Sequence, residues 1–145
     1  MTVTEFLQTR VPFLSGITQE QAHQLATGVQ QRSYAKGQTV VFRGTTVDGL
    51  SIVASGKVGV WIKTKPSAQP SLAAELTSGE VFGEASIMES GTAGATIKAA
   101  EDETLVFLVP QEAFLTILAA EPSLRARAET MTAERRARNA ALPAS

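Results

Sequence analysis

From Arg32 to Val109 the chain is cut into short β-type runs, each stopped within a few positions by a turn residue. Ser33-Tyr-Ala precedes Lys36-Gly37, Thr39-Val-Val-Phe42 precedes Arg43-Gly44, and Leu50-Ser-Ile-Val-Ala54 precedes Ser55-Gly56. Lys57 to Lys63 alternates only partly before the Pro/Ser-rich loop Pro66 to Ser71. Leu72 to Leu76, Ala95 to Ala100 and Thr104 to Val109 complete the set. Runs this short, punctuated this often by glycine, predict an antiparallel sandwich or barrel of about eight strands, a jelly roll before other forms.

The flanks read differently. Thr2-x-x-Glu5 and Thr18-x-x-Gln21 have the spacing of capping boxes, and Ser15-Gly16 divides two helical segments, so helices are expected over residues 1–31. Pro110 opens a third helical region with Phe114, Leu115, Ile117 and Leu118 on one short amphipathic helix. Pro122 interrupts it, and Leu124, Ala128 and Met131 begin a last helix running to about 141. The expectation is α+β: one domain over 1–145, with helices 1–31, a β-roll 32–109 and helices 110–141.

Composition narrows the chemistry. There is no cysteine, so disulfides and thiolate metal sites are excluded. The formal charge of -1 exerts no global pull on nucleic acid or anionic membrane. One histidine, His23, lies off the apolar stripe Ala22, Leu25, Val29 and reads as a solvated surface residue. Histidine-based triads and the multi-histidine metal site of a cupin-type enzyme would have to be built around it alone. No enzyme, no resident metal or cofactor and a cytoplasmic location are the expectations, since no run reaches bilayer-spanning length and no signal peptide is visible.

The stretch from Val81 to Lys98, VFGEASIMESGTAGATIK, looks built to hold something small. A glycine lets a ligand approach the backbone closely. A short helical turn over Ala85 to Met88 would leave N–H groups unpaired, and Glu84 can accept hydrogen bonds from sugar hydroxyls. Trp61 and Phe82 sit in strand-like runs and read as core rather than as stacking platforms. The loop 66–71 reads as a hairpin connection rather than a lid. Beyond Pro122, Arg125, Arg127, Arg135, Arg136 and Arg138 have no interleaved aromatics, so a solvated helix face accounts for them better than an anionic partner. Glu134 and Arg138 have the favourable i,i+4 spacing.

The chain resembles the cyclic nucleotide-binding domain family, the regulatory module of bacterial cAMP receptor proteins, protein kinase regulatory subunits and cyclic-nucleotide-gated channels. The resemblance covers about residues 5 to 140. It rests on Phe6-Leu-x-x-x-x-Pro-Phe-Leu14, Lys36-Gly-Gln-Thr-Val40, Gly49-Leu-Ser-Ile-Val-Ala-Ser-Gly-Lys-Val58 and Gly79-Glu-Val-Phe-Gly-Glu84. Thr104 to Leu108, Phe114-Leu and Glu121-Pro-Ser-Leu124 extend it.

The resemblance implies a phosphate-binding cassette of Phe82, Gly83, Glu84, Ala85, Ser86, Ala93, Gly94, Ala95 and Thr96. Glu84 would hold the ribose 2'-hydroxyl, and backbone N–H groups around Gly83, Ala85 and Ser86 would face ribose and phosphate. The family's cassette arginine stands three residues before the Ala-Thr pair, which places it at Ala93. Lys98, five residues beyond, is not expected to replace it.

Losing one partner of a buried charged pair costs about 2–5 kcal/mol, roughly thirty- to several-thousandfold in affinity. The resemblance therefore implies a regulatory ligand-sensing module with weak or absent cAMP or cGMP binding. The alternative is a degenerate domain serving protein–protein interaction or dimerisation without ligand. The C-terminal helices would contact a second copy or a partner. A DNA-reading role would need a helix-turn-helix after the long helix, and no such unit is visible before Ser145.

Overall fold

The structure, a computed structural model, describes residues 1–63, 69–88 and 91–140. Among these, eight strands form two antiparallel sheets of four. The first contains β1 (Gln30–Tyr34), β8 (Thr104–Pro110), β3 (Gly49–Ser55) and β6 (Val81–Phe82), in that spatial order. The second contains β2 (Thr39–Val41), β7 (Thr96–Ala99), β4 (Lys57–Ile62) and β5 (Ser71–Thr77). The helices are α1 (Val3–Thr9), α2 (Gln19–Thr27), α3 (Glu84–Met88), α4 (Gln111–Ala120) and α5 (Pro122–Ala140). This is the expected antiparallel β-roll with flanking helices.

The first sheet is the middle layer of three, which explains why β3 lacks a clean alternation. Leu50 and Ile52 point toward the helices and Val53 toward the second sheet, so five consecutive residues of β3 are buried. The outer core joins Leu50, Ile52, Phe107 and Val109 to Leu7, Leu14, Leu25, Phe114, Leu118, Leu124 and Ala128 of the helical layer. The inner core, between the sheets, is smaller: Val53, Val58, Leu76, Phe82, Ile97 and Val106. Gly49 pairs with Pro110 at the start of the β3–β8 ladder, and a Cβ there would collide with the backbone carbonyl oxygen of Val109.

Both caps form, though unequally. Thr18 Oγ1 accepts from Gln21 N–H at 3.0 Å while Gln21 Oε1 accepts from Thr18 N–H at 2.9 Å. Thr2 accepts from Glu5 N–H at 3.1 Å. His23 is exposed.

Several expectations change. The N-terminal helices end at Thr27, and Gln30 to Tyr34 pair with β8 as an edge strand. Gln30 and Gln31, expected in the helical flank, are polar and exposed, so only the tertiary pairing makes them strand. Leu115 is exposed while its neighbours Phe114, Ile117 and Leu118 are buried. Trp61 is not core. It is half-buried, with the Lys98 ammonium 5.9 Å from its ring centroid on the outer side of the second sheet. Pro122 starts α5 at its first turn, where the missing N–H costs nothing. Residues 66–68 of the expected loop, and residue 141 of the last helix, lie outside the described residues; β4 and β5 pair as antiparallel neighbours.

Candidate functional site

β6 brings the chain along β3, pairing Phe82 with Ser51 and Val81 with Ile52. Gly83 then takes φ +94°, a left-handed conformation that side chains disfavour, and turns the chain directly into α3. Glu84, the first residue of that helix, is thereby driven inward and is only 2% exposed. A buried carboxylate needs a partner. It finds one far along the chain: Arg135 Nη1 donates to Glu84 Oε1 at 2.8 Å. The other arm of the same guanidinium donates to the Val81 carbonyl oxygen at 2.8 Å. One forked side chain thus ties α5 to both the strand and the acid of the glycine turn.

That tie is incomplete. Glu84 Oε2 and, one turn before Arg135, Thr132 Oγ1 are buried without a hydrogen-bond partner among the described residues. A buried polar atom left unpaired is costly, and two lie on the wall of one cavity. The lower half of α5 is held by other means. Leu124 and Ala128 enter the outer core, and Arg127 Nη1 donates to the carbonyl oxygens of Phe13 and Ser15 at 2.6 and 3.0 Å.

The loop following α3 is fastened by main-chain bonds to the segment between β2 and β3. Gly44 N–H donates to Ala93 O at 2.8 Å, Ala93 N–H to Thr45 O at 2.9 Å, and Val47 N–H to Gly91 O at 2.9 Å. Both main-chain groups of Ala93 are therefore used within the protein. Its methyl, 9% exposed, remains on the cavity wall.

The cavity measures about 450 Å³, within the range of small-ligand sites. Its floor is apolar, from Val40, Val41, Leu76, Ile97 and Val106 of the two sheets. Its rim is the glycine–acid turn on one side, the 42–49 segment on another and the last turns of α5 on a third. Phe42 stands at this rim, 62% exposed.

Of the residues expected from the sequence, Phe82, Gly83, Glu84, Ala85, Ser86, Ala93, Gly94 and Ala95 all line this cavity. Thr96 does not: it is already in β7 opposite Trp61, and its Oγ1 accepts from Arg43 N–H at 3.2 Å. Lys98 is likewise outside the lining, over Trp61. The sequence reading missed Thr132, Arg135, Arg136, Arg138 and Asn139, all of which line the cavity. Positions 132, 135, 136 and 139 fall on one helical face and continue the buried stripe of 124 and 128. That periodicity was the available signal, and the arginines masked it by reading as solvated. Arg125 and Glu129 form the exposed i,i+4 pair, at 3.5 Å.

A roll of two antiparallel sheets, a glycine–acid turn into a short helix, and a long helix folded over them enclose a cavity of small-ligand size. Residues 31–121 match the family model described as cyclic nucleotide-binding domain, and the chain belongs to that family. The cyclic AMP receptor protein of Thermus thermophilus is 32% identical over 101 residues, covering 70% of this chain and 46% of that protein. The chain thus spans about half the length of that relative.

Solved structures share the fold. The regulatory domain of Toxoplasma gondii protein kinase A, crystallised with cAMP, superposes with a TM-score of 0.82 at 19% identity, covering 91% of this chain and 49% of that one. A regulatory subunit of a cAMP-independent protein kinase A from Trypanosoma brucei superposes with a TM-score of 0.71 at 20% identity. It covers 92% of this chain and 50% of that one, and it is a triple mutant, one change introducing an arginine, bound to cAMP in its A site. Among the described residues no helix is long and apolar enough to cross a membrane.

Proposed function

We propose that this domain is a non-enzymatic regulatory module that senses a small ligand through the cavity and reports it through α5. It binds cAMP and cGMP weakly or not at all. The observation that carries the reading is Glu84: one oxygen is held by Arg135 of α5 and the other is buried without a partner among the described residues. A ligand hydroxyl offered to Oε2 changes the environment of the acid that anchors α5. Occupancy and helix position are then coupled through a single carboxylate.

Weak cyclic-nucleotide binding follows from position 93. A cyclic phosphodiester keeps its charge at neutral pH, and the methyl of Ala93 replaces the guanidinium that would pair with it. The Ala93 N–H cannot help, since Thr45 O already accepts it.

Calorimetry with cAMP and cGMP on the native chain and on Ala93→Arg tests this. Little or no heat from the native chain and measurable binding by the variant are expected. Tight native binding would refute the weak-binding reading. Silence from both would favour a protein-interaction domain without a ligand.

A further inference from the structure

The inner core stops short of filling the space between the sheets. Beside its buried members, Val40, Val41, Val60 and Ala95 are only partly covered, and all four line the cavity of about 450 Å³. Aliphatic surface left open in this way is unfavourable, and an apolar body set against it gains what a core side chain gains. An anion meets the opposite conditions at the neighbouring wall. There the loop after α3 is zipped to the 42–49 segment: Ala93 N–H donates to Thr45 O at 2.9 Å, Gly91 N–H turns back to Ser86 O at 2.6 Å, and Thr46 bridges Thr92. The Arg135 guanidinium is spent on Glu84 and Val81, while the exposed Arg136 and Arg138 stand at the rim rather than on the floor.

We propose, resting on the ligand-sensing reading above, that the ligand is apolar: a small molecule whose buried body is hydrocarbon and which lies between the sheets against Val40, Val41, Val60, Leu76, Ile97 and Val106. It completes the inner core rather than occupying the cassette. Leu76 belongs to the second sheet and Val106 to the first, so a body lodged against both joins the two sheets as a core side chain would. Binding is driven by the burial that holds the core itself, needs no phosphate, and is not weakened by salt. The ligand therefore adds stability to the layer with the smaller core.

The test is a methyl NMR titration of the full chain with 1-butanol, 1-hexanol and 1-octanol, and with inorganic phosphate as the charged probe. The alcohols are expected to move the methyl signals of Val41, Leu76, Ile97 and Val106, with affinity rising about fourfold per methylene until the cavity is full. Added sodium chloride should not weaken that binding, and phosphate should leave the same methyls where they are. Val60→Phe and, from its partner position on β5, Ala74→Leu each take up cavity space and are expected to lose most of the octanol response. The melting temperature of each variant, read alongside, separates a filled cavity from a lost fold, and the chain-length series on the native protein stands without either.

Affinity that does not rise with chain length, shifts confined to outer-core methyls such as those of Leu50 and Leu118, or folded variants that bind octanol as the native chain does would overturn the proposal. The sensing reading is judged separately, by amide exchange over residues 132–140 with octanol bound. Unchanged exchange there sinks that reading and leaves the apolar ligand class standing. If the alcohols leave the floor unmoved while Ala93→Arg binds cAMP, the pocket survives and the apolar class falls. If Ala93→Arg is also silent, both fall together.

Discussion

At Glu84 a carboxylate is taken out of water where the left-handed turn at Gly83 opens α3, and Arg135 is what makes that burial tolerable. Removing the guanidinium leaves the acid dry and alone. Arg135→Ala is therefore expected to destabilise the fold by about 2–4 kcal/mol, less than for a wholly sealed pair because the Arg135 side chain is 25% exposed. Urea unfolding measures this, and Glu84→Gln/Arg135→Met should cost clearly less than the sum of its two single changes. No coupling between the two positions would mean the contact is incidental. Gly49 is a second residue with no substitute: Gly49→Ala forces its methyl against the Val109 carbonyl oxygen in the central strand pair, and a loss of about 3 kcal/mol or more is expected by the same measurement.

The long helix α5 is one element with two kinds of anchor. Its first half is packed into the outer core through Leu124 and Ala128 and pinned by Arg127 to Phe13 and Ser15. Its second half rests on the Arg135 fork above a cavity rather than on packed side chains. Local opening should follow that difference. Amide hydrogen exchange is expected to be faster from residue 132 onward than over 122–131. Arg135→Ala should accelerate the upper half while leaving the lower half nearly unchanged; uniform acceleration along α5 would contradict two independent anchors. At the other end of the chain, Thr18→Ala removes a reciprocal cap and should cost about 1 kcal/mol in thermal unfolding.

Across the whole molecule, the first sheet is shared by both cores, with β3 and β8 contributing side chains to each. Neither core can dissolve without exposing the opposite face of the same strands, so the layers should unfold together. Trp61, the sole tryptophan, reports on the second sheet, and helical circular dichroism reports on the outer layer. The two transitions are expected to coincide in urea. An earlier fluorescence transition would show that the second sheet, backed by the smaller core and the cavity, opens on its own.

The sequence by itself determined what is written within a few consecutive residues. Glycine-punctuated β runs specify a roll, Thr18-x-x-Gln21 specifies a capped helix, and Gly83-Glu84 specifies a turn into a short helix. Tertiary structure decided what depends on separated parts meeting. Polar Gln30 and Gln31, expected in the helical flank, became strand only because β8 lay beside them. Trp61 fell on the outer side of its sheet under Lys98. Arg135 became the partner of a carboxylate 51 residues away. The physical reason is one of range: backbone conformation and capping are fixed by neighbours along the chain. The partner of a buried charge is fixed by where a packed helix crosses a sheet, and an arginine on a polar helix looks the same in sequence whether water or an acid awaits it.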